Sequence, residues 1–398
     1  MTDESFPPTR VAALARLASF APKAGRAYAS GRNTDHGPHA RNAVSQLSPY
    51  IRHRFISEQE VVATILRQHS FADAEKFVQE VAWRTYWKGW LEMRPAVWSQ
   101  FVSGRDSVLT EYAGSVDLLA AEAGRTGIEG FDDWARELVD TGYIHNHARM
   151  WFASIWIFTL RLPWELGADF FLRHLLDADA ASNTLSWRWV AGLQTAGKSY
   201  LATAENIARF TNGRFEPTGL ATSATPLPAV PVPGTQPLAE KGKYNSDKPA
   251  LLLMTPEDLA PESLFRNARS IAGVAVANDD IFMWGDAARA FVREGADDAT
   301  TRTARYYGCQ PTRLPHLNAE ALADMARALN VDQIVTPYAP VGPVADMLCD
   351  IATALAPEDI KLVQVRRDWD NRLWPHATKG FFSFKEQLPS ALSDLGIA

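Results

Sequence analysis

The stretch from Thr141 to Trp189, TGYIHNHARMWFASIWIFTLRLPWELGADFFLRHLLDADAASNTLSWRW, constrains this chain more than any other. Asn146, Arg149 and Met150 stand at i, i+3 and i+4, so a helix through them places all three on one face. The run Met150 to Leu160 is apolar apart from Ser154 and Thr159, too short to cross a bilayer and suited to a buried helix. Pro163 and Trp164 open a second helix, where the missing proline N–H costs little. An acidic loop follows, from Asp177 through Asp179 to Asn183, and then Trp187-Arg188-Trp189. Buried carboxylates need partners, so two aspartates beside an aromatic pair suggest a polar ligand in an apolar cleft. Taken alone, the loop reads more simply as a solvated helix–helix connection.

The order of these pieces decides between the two readings. TGYIHNHARM, a hydrophobic helix, PWELGADFF, DADAASN and WRW together resemble the flavin-binding core of the photolyase/cryptochrome family at nearly the family's spacing. An upstream segment resembles the family's diphosphate loop, with Tyr28, Ser45, Leu47, Ser48, Pro49 and Tyr50 at matching positions. Hydroxyls and backbone N–H groups at a helix start are suited to phosphate oxygens. Val44 and Gln46 stand where the family has Thr and Arg, so one hydroxyl donor is lost. Ser57 with Glu60 predicts a capped helix start shortly after. Phe71 to Trp90 is helical by pattern; Glu80, Trp83 and Arg84 match family positions, whereas Thr85 replaces a Glu.

The rest of the chain bounds the function. Of 398 residues, enough for two or three domains, only Cys309 and Cys349 are cysteines. This excludes a disulfide framework and the four-cysteine iron–sulfur cluster carried by one branch of the family. His36 and His39 have no cysteine companion and only Asp35 as an acidic neighbour, and no metal site is expected. The net charge of −6 argues against a strongly basic nucleic-acid protein, though not against a local patch; Arg84, Arg149, Arg188, Lys198 and Arg209 are the candidates. No signal peptide or membrane span is visible, and a cytoplasmic protein is expected. Residues 1–25 read as a flexible arm bearing one short helix, Val11 to Phe20. GLQTAGKS, residues 192–199, fits the phosphate-loop expression, but that loop must follow a buried parallel strand, and the preceding residues read as helical.

Residues 216–249 are proline-rich and read as an extended linker. Beyond them, expected strands at 250–254, 271–277, 332–337 and 360–365 alternate with helices, including 286–294, 319–329 and 344–355. That alternation argues a parallel α/β sheet. Asp368 to Pro375 followed by Gly380 to Lys385 resembles the family segment that leaves its antenna domain. The expected architecture is therefore multidomain, α plus α/β. It has an all-α FAD-binding domain at 1–215, a linker at 216–249, and an antenna-like α/β domain in swapped order at 250–398.

The resemblance implies FAD as cofactor and leaves the antenna chromophore open. It implies an Arg149–Asp177 ion pair beside the isoalloxazine, Asp179 accepting from flavin N3–H, and Asn183 facing N5. Asn146 and Glu80 would lie between the adenine and the cavity mouth. Tyr28, Ser45, Gln46, Leu47 and Ser48 would form the phosphate side. It implies a cavity for a flipped base dimer lined by Glu80, Trp83, Asn146, Met150 and Trp189, with Arg84 near the phosphates. Trp187 and Trp164 match the first two members of the family's electron-transfer chain, while the third has no tryptophan counterpart between Thr110 and Ala121. The implied activity is light-driven repair of cyclobutane pyrimidine dimers in damaged DNA. The alternative is a cryptochrome-type signalling flavoprotein, consistent with His147 replacing an arginine and with the acidic charge balance.

Overall fold

The structure is a computed structural model that describes residues 6–195, 197–228, 231–240, 242–277 and 284–397. The first part is helical: α1 (Arg10–Phe20), α2 (Arg26–Gly31), α3 (Ser48–Arg52), α4 (Glu58–Leu66), α5 (Phe71–Glu92) and α6 (Ala96–Glu111). These are followed by α7 (Val116–Glu122), α8 (Phe131–Thr141), α9 (Asn146–Ser154), α10 (Trp164–His174), α11 (Ala180–Val190) and α12 (Ala204–Phe210). Ser57 caps α4 in a full capping box with Glu60, as its spacing predicts. The apolar run after α9 widens into a π turn over Ile155–Thr159 instead of continuing as α-helix. GLQTAGKS follows α11, not a strand, so its described residues lack the setting a phosphate loop needs; Ala196 lies outside the described residues.

Residues 6–25 differ from expectation. They pack against the helical core, with Phe6, Leu17 and Phe20 buried and the Arg10 guanidinium 2.5 Å from Glu60. Residues 1–5 lie outside the described residues. The described part of the proline-rich stretch carries no helix or strand but is tied down along its course. Leu227 N–H donates to Ala191, Gln236 N–H to Met93, and Arg366 donates to the Ala239 carbonyl.

A five-stranded parallel sheet follows, in the order β3-β2-β1-β4-β5. Its strands are β1 (Ala250–Met254), β2 (Ile271–Ala277), β3 (Thr312–Leu314), β4 (Gln333–Pro337) and β5 (Lys361–Val365). The edge strand β3 was not expected, and the helix starting at Asp286 runs on to Tyr307. The helices of this part are α13 (Asp286–Tyr307), α14 (Ala319–Ala328), α15 (Pro343–Leu355), α16 (Asp368–Leu373), α17 (Phe381–Lys385) and α18 (Leu388–Asp394).

Charged side chains join the two parts. Arg52 makes a bidentate pair with Glu257 at 2.6 and 2.8 Å, and His53 Nδ1 lies 2.8 Å from the Pro256 carbonyl oxygen. Arg54, 2% exposed, faces Asp370 at 2.5 Å, Glu58 at 3.5 Å and Asp258 at 3.7 Å. Arg367 forks onto Asp258 at 2.7 and 2.8 Å. A second contact involves Glu92, at the end of α5. It accepts from the Tyr338 hydroxyl at 2.6 Å and from Val341 N–H at 2.7 Å, in the loop after β4. Burial pushes the Glu92 carboxyl up from 4.5 to about 7 against those two hydrogen bonds and Arg366, with Asp370 adding to the rise. A carboxyl raised on folding binds its proton more tightly in the folded state. Its contribution to stability is therefore full below 4.5 and lost as pH rises to about 7. The Glu92→Gln variant is expected to have a flatter thermal midpoint across that interval than the parent; an unchanged profile would contradict the assignment.

Candidate functional site

The site is assembled where α2, α3, α5, α9 and the leading turn of α11 converge. Gly142 ends α8 at φ 67° and donates its N–H to Leu138. Its carbonyl accepts from Leu176 N–H at 2.9 Å, and a Cβ there would lie 2.5 Å from Leu176 Cγ. The missing side chain thus lets residues 176–177 approach the α8–α9 turn. This brings Asp177 to Arg149 on α9, a bidentate pair at 2.8 and 2.9 Å. Arg149 Nε also donates to the Ile144 carbonyl, and Ser48, the first residue of α3, hydrogen-bonds Asp177. Burial would raise the Asp177 carboxyl, but Arg149, Arg84 and Ser48 hold it below the usual carboxylate range.

Asp179 caps α11 by accepting from Ser182 N–H at 2.7 Å, and its other oxygen accepts from Arg84. Arg84 also donates to the Asp177 carbonyl at 3.3 Å, so one guanidinium of α5 ties the whole acidic loop to that helix. Burial opposes ionisation of Asp179, yet Arg84, Lys88 and Arg52 bring its carboxyl below the ordinary value. Asn183 is buried and donates to the Ala168 carbonyl at 2.8 Å. Tyr28 is buried edge-on against Phe77, ring centroids 5.2 Å apart, and its hydroxyl is raised by burial. Glu80 accepts from Arg32 at 2.7 Å; burial raises its carboxyl despite Arg32 and Lys76.

Several candidates are placed differently from the simple helical-face reading. Asn146 is exposed while Arg149 and Met150 are half-buried. Gln46 adopts φ 52° and folds its amide back onto the Arg41 carbonyl at 3.1 Å, while Leu47 is buried and donates its N–H to the Ser45 hydroxyl. Trp189 is 36% exposed and stacks on Tyr200, 5.7 Å between centroids. Trp187 packs edge-on to Phe171 and Trp156, at 5.1 and 6.2 Å. Gly167 makes this possible, since a Cβ there would lie 2.3 Å from the Trp187 ring. Trp164 packs instead on Phe101 at 5.6 Å, so among the described residues Trp187 has Trp156 as its tryptophan neighbour. The expected positive patch is largely neutralised. Arg84 and Arg149 are paired with aspartates and Arg188 is buried, leaving Lys198 and Arg209 exposed.

Sequence reasoning missed Arg32 and Lys88. Arg32 has no short-range signal linking it to Glu80. Lys88, four residues on from Arg84, extends that helix face and is buried near Asp179 and Glu58; burial, then Arg54, lowers its pKa. Among the described residues no group of three or more His, Cys, Asp or Glu could hold a metal, and no helix is long and apolar enough to cross a membrane.

Residues 77–219, which contain all of α9, α10 and α11, match the FAD binding domain of DNA photolyase. Over those residues the chain is similar to the photolyase/cryptochrome family. A deoxyribodipyrimidine photo-lyase of Streptomyces griseus is 36% identical over 161 residues, covering 40% of this chain and 34% of the relative. One of Alkalihalophilus pseudofirmus is 28% identical over 208 residues, covering 52% and 42%. The crystal structure of a class III photolyase from Agrobacterium tumefaciens aligns at 26% identity and a TM-score of 0.42, covering 51% of this chain and 43% of that one. The chain thus spans less than half the length of these family relatives.

Proposed function

We propose that this chain binds FAD where α5, α9 and the start of α11 converge and splits cyclobutane pyrimidine dimers in DNA under light. The observation that carries the reading is the pair of aspartates at the start of α11, each held by an arginine from a different helix. The residues present suit the cofactor. Ser48 and Arg149 offer donors on one side, and carboxylates suited to ring N–H groups lie on the other. The Ser182 hydroxyl, beside the Asp179 cap, is buried without a hydrogen-bond partner and leaves polar capacity unused. When bound and reduced, FAD supplies the light-driven electron for the reaction.

The chain's own residues bind and orient. Arg149 and Asp177 cancel each other's charge, so the cleft presents oriented dipoles more than a net charge. Asp179, anchored by Arg84, would accept from flavin N3–H, and Asn183 would face N5. Tyr28, Ser45, Gln46, Leu47 and Ser48 form the phosphate side, with Gln46 supplying backbone while its amide is engaged elsewhere. Glu80, raised by burial, keeps a proton more readily than a free carboxyl and can donate to a pyrimidine carbonyl. Trp83, Asn146, Met150 and Trp189 provide the walls for an extruded pyrimidine dimer, and exposed Lys198 and Arg209 the phosphate contacts. Trp187 and Trp164 retain the proposed electron-supplying role, with Trp156 as the direct neighbour of Trp187. The sheet-bearing part is proposed as an antenna-type domain in swapped order, on the strength of its fully parallel strands. The free Cys309 and Cys349 suit a reducing, cytoplasmic setting.

The test is a strand carrying a defined dimer, incubated with FAD-loaded protein in light and in darkness. Loss of the dimer in light alone is expected. Bound FAD without light-dependent loss would overturn the lyase reading in favour of a signalling flavoprotein. Replacing Trp187 by Phe is expected to abolish rapid light-driven reduction of the bound flavin under an external reductant while leaving FAD content unchanged. A variant reduced as fast as the parent would remove Trp187 from the route.

A further inference from the structure

The last helices of the chain are docked along α5, on the side away from Glu80 and Arg84. Trp369 Nε1–H donates to the Thr85 hydroxyl at 2.8 Å, and Tyr86 O–H donates to the Lys379 carbonyl at 2.8 Å. Arg94 donates to the Thr378 carbonyl at 3.0 Å, and Trp374 lies so close to Gly89 that a Cβ would stand 2.9 Å from its Cα. Gly89 is nine residues beyond Glu80, about two and a half turns, and so faces the opposite way from Glu80 and Arg84. Thr85 is fully buried, its hydroxyl held by Trp369.

Trp83 lies on the border between the two faces. Phe381, the first residue of α17, stacks parallel to it, with ring centroids 3.7 Å apart and planes 9° apart. Phe381 is itself gripped edge-on by Tyr86 at 5.6 Å and is 5% exposed, while Trp83 stays half-buried. The aromatic pair is thus anchored on its Phe381 side by contacts that belong to the back of α5.

We infer that Phe381 is a positioning residue that fixes the plane of Trp83, so that Trp83 serves as a preset stacking platform for a pyrimidine ring entering the cleft. This rests on the dimer-binding reading above. A free tryptophan side chain must give up rotamer freedom when a base stacks on it, and a parallel ring behind it removes that freedom beforehand. The contact needs a flat π face as well as volume, because the interplanar angle is what orients Trp83. Nothing in the local sequence of α5 announces it, since the two rings are 298 residues apart.

The experiment compares Phe381→Ala, Phe381→Leu, Phe381→Tyr and Trp83→Ala in the FAD-loaded full chain. It reads the affinity ratio for a dimer-containing over an undamaged oligonucleotide, together with FAD content and thermal midpoint. Phe381→Leu, which keeps apolar volume but not the flat ring, is expected to lower the ratio by roughly threefold to tenfold, with FAD content unchanged. Phe381→Tyr is expected to keep the parental ratio, and Trp83→Ala to lose at least as much as Phe381→Leu. If Trp83→Ala loses the preference while Phe381→Leu and Phe381→Ala keep it, the positioning role is overturned and the dimer-binding reading stands. If Trp83→Ala keeps the preference, the platform itself is wrong and the inference falls with it. A parent with no preference would instead refute the dimer-binding reading. Should Phe381→Ala fail to fold, the Leu and Tyr variants carry the comparison.

Discussion

Asp177→Ala is expected to lose FAD and to weaken the protein even without it. Asp177 is 3% exposed and is the carboxylate partner of Arg149, whose side chain is only 23% exposed. Removing one member of a buried pair leaves the other uncompensated, at a cost of about 3–5 kcal/mol for full burial. Arg149 keeps some access to water, so the lower end, about 3 kcal/mol, is expected from urea unfolding of the cofactor-free protein. The Ser48 hydroxyl loses its acceptor in the same step. Asp177→Asn keeps the shape and one acceptor and should lose less. Equal stability of Asp177→Ala and parent, together with equal FAD content, would show that this pair does not organise the site.

A larger loss is expected from Arg54→Met. Arg54 is the shared counter-ion of Glu58, Asp258 and Asp370, which are between 0% and 1% exposed. Asp258 retains Arg367, but both oxygens of Glu58 and one of Asp370 already lack hydrogen-bond partners. Without the guanidinium, Lys88 is left as the nearby cation for both carboxylates, and they are driven towards taking up protons. The cost at neutral pH is expected to reach about 5 kcal/mol, read as a shift in urea midpoint. Their folded-state pKa values would then stand above the unfolded ones, so the deficit should shrink as pH falls towards the carboxylate range. A deficit independent of pH would mean that packing, not charge, is lost. Because Asp258 and Asp370 come from the sheet-bearing part and Glu58 from the helical part, the same variant tests whether the two parts unfold as one unit.

Much of the site was legible because its elements are local. The Arg149–Asp177 pair, implied by the family resemblance of the Thr141–Trp189 stretch, is present, whereas the capping of α11 by Asp179 was not read from the acidic loop. What escaped was long-range. Arg32 meets Glu80 across 48 positions and Phe381 meets Trp83 across 298, and neither carries a local periodicity. The strand Thr312–Leu314 escaped because it is three residues long, with only Leu314 buried. The helix from Asp286 was expected to stop early because REGADDATTR is polar. Its inward positions, Gly295, Ala296, Ala299 and Thr303, are small residues that a hydrophobic pattern undercounts. The start of the chain looked like a free arm because its polar composition hides Phe6, which is 1% exposed. The positive patch was overestimated for a related reason: residue counting cannot see that Arg84 and Arg149 each have an aspartate.

If the side chains where α5, α9 and the start of α11 converge hold FAD, titration of FAD into the flavin-stripped 398-residue chain will show it. Flavin absorbance and quenching of flavin fluorescence are expected to saturate at one FAD per chain, and the same titration of Asp177→Ala to show little or no uptake. Failure of the parent chain to take up FAD, or uptake that Asp177→Ala matches, would show that these side chains do not hold the flavin.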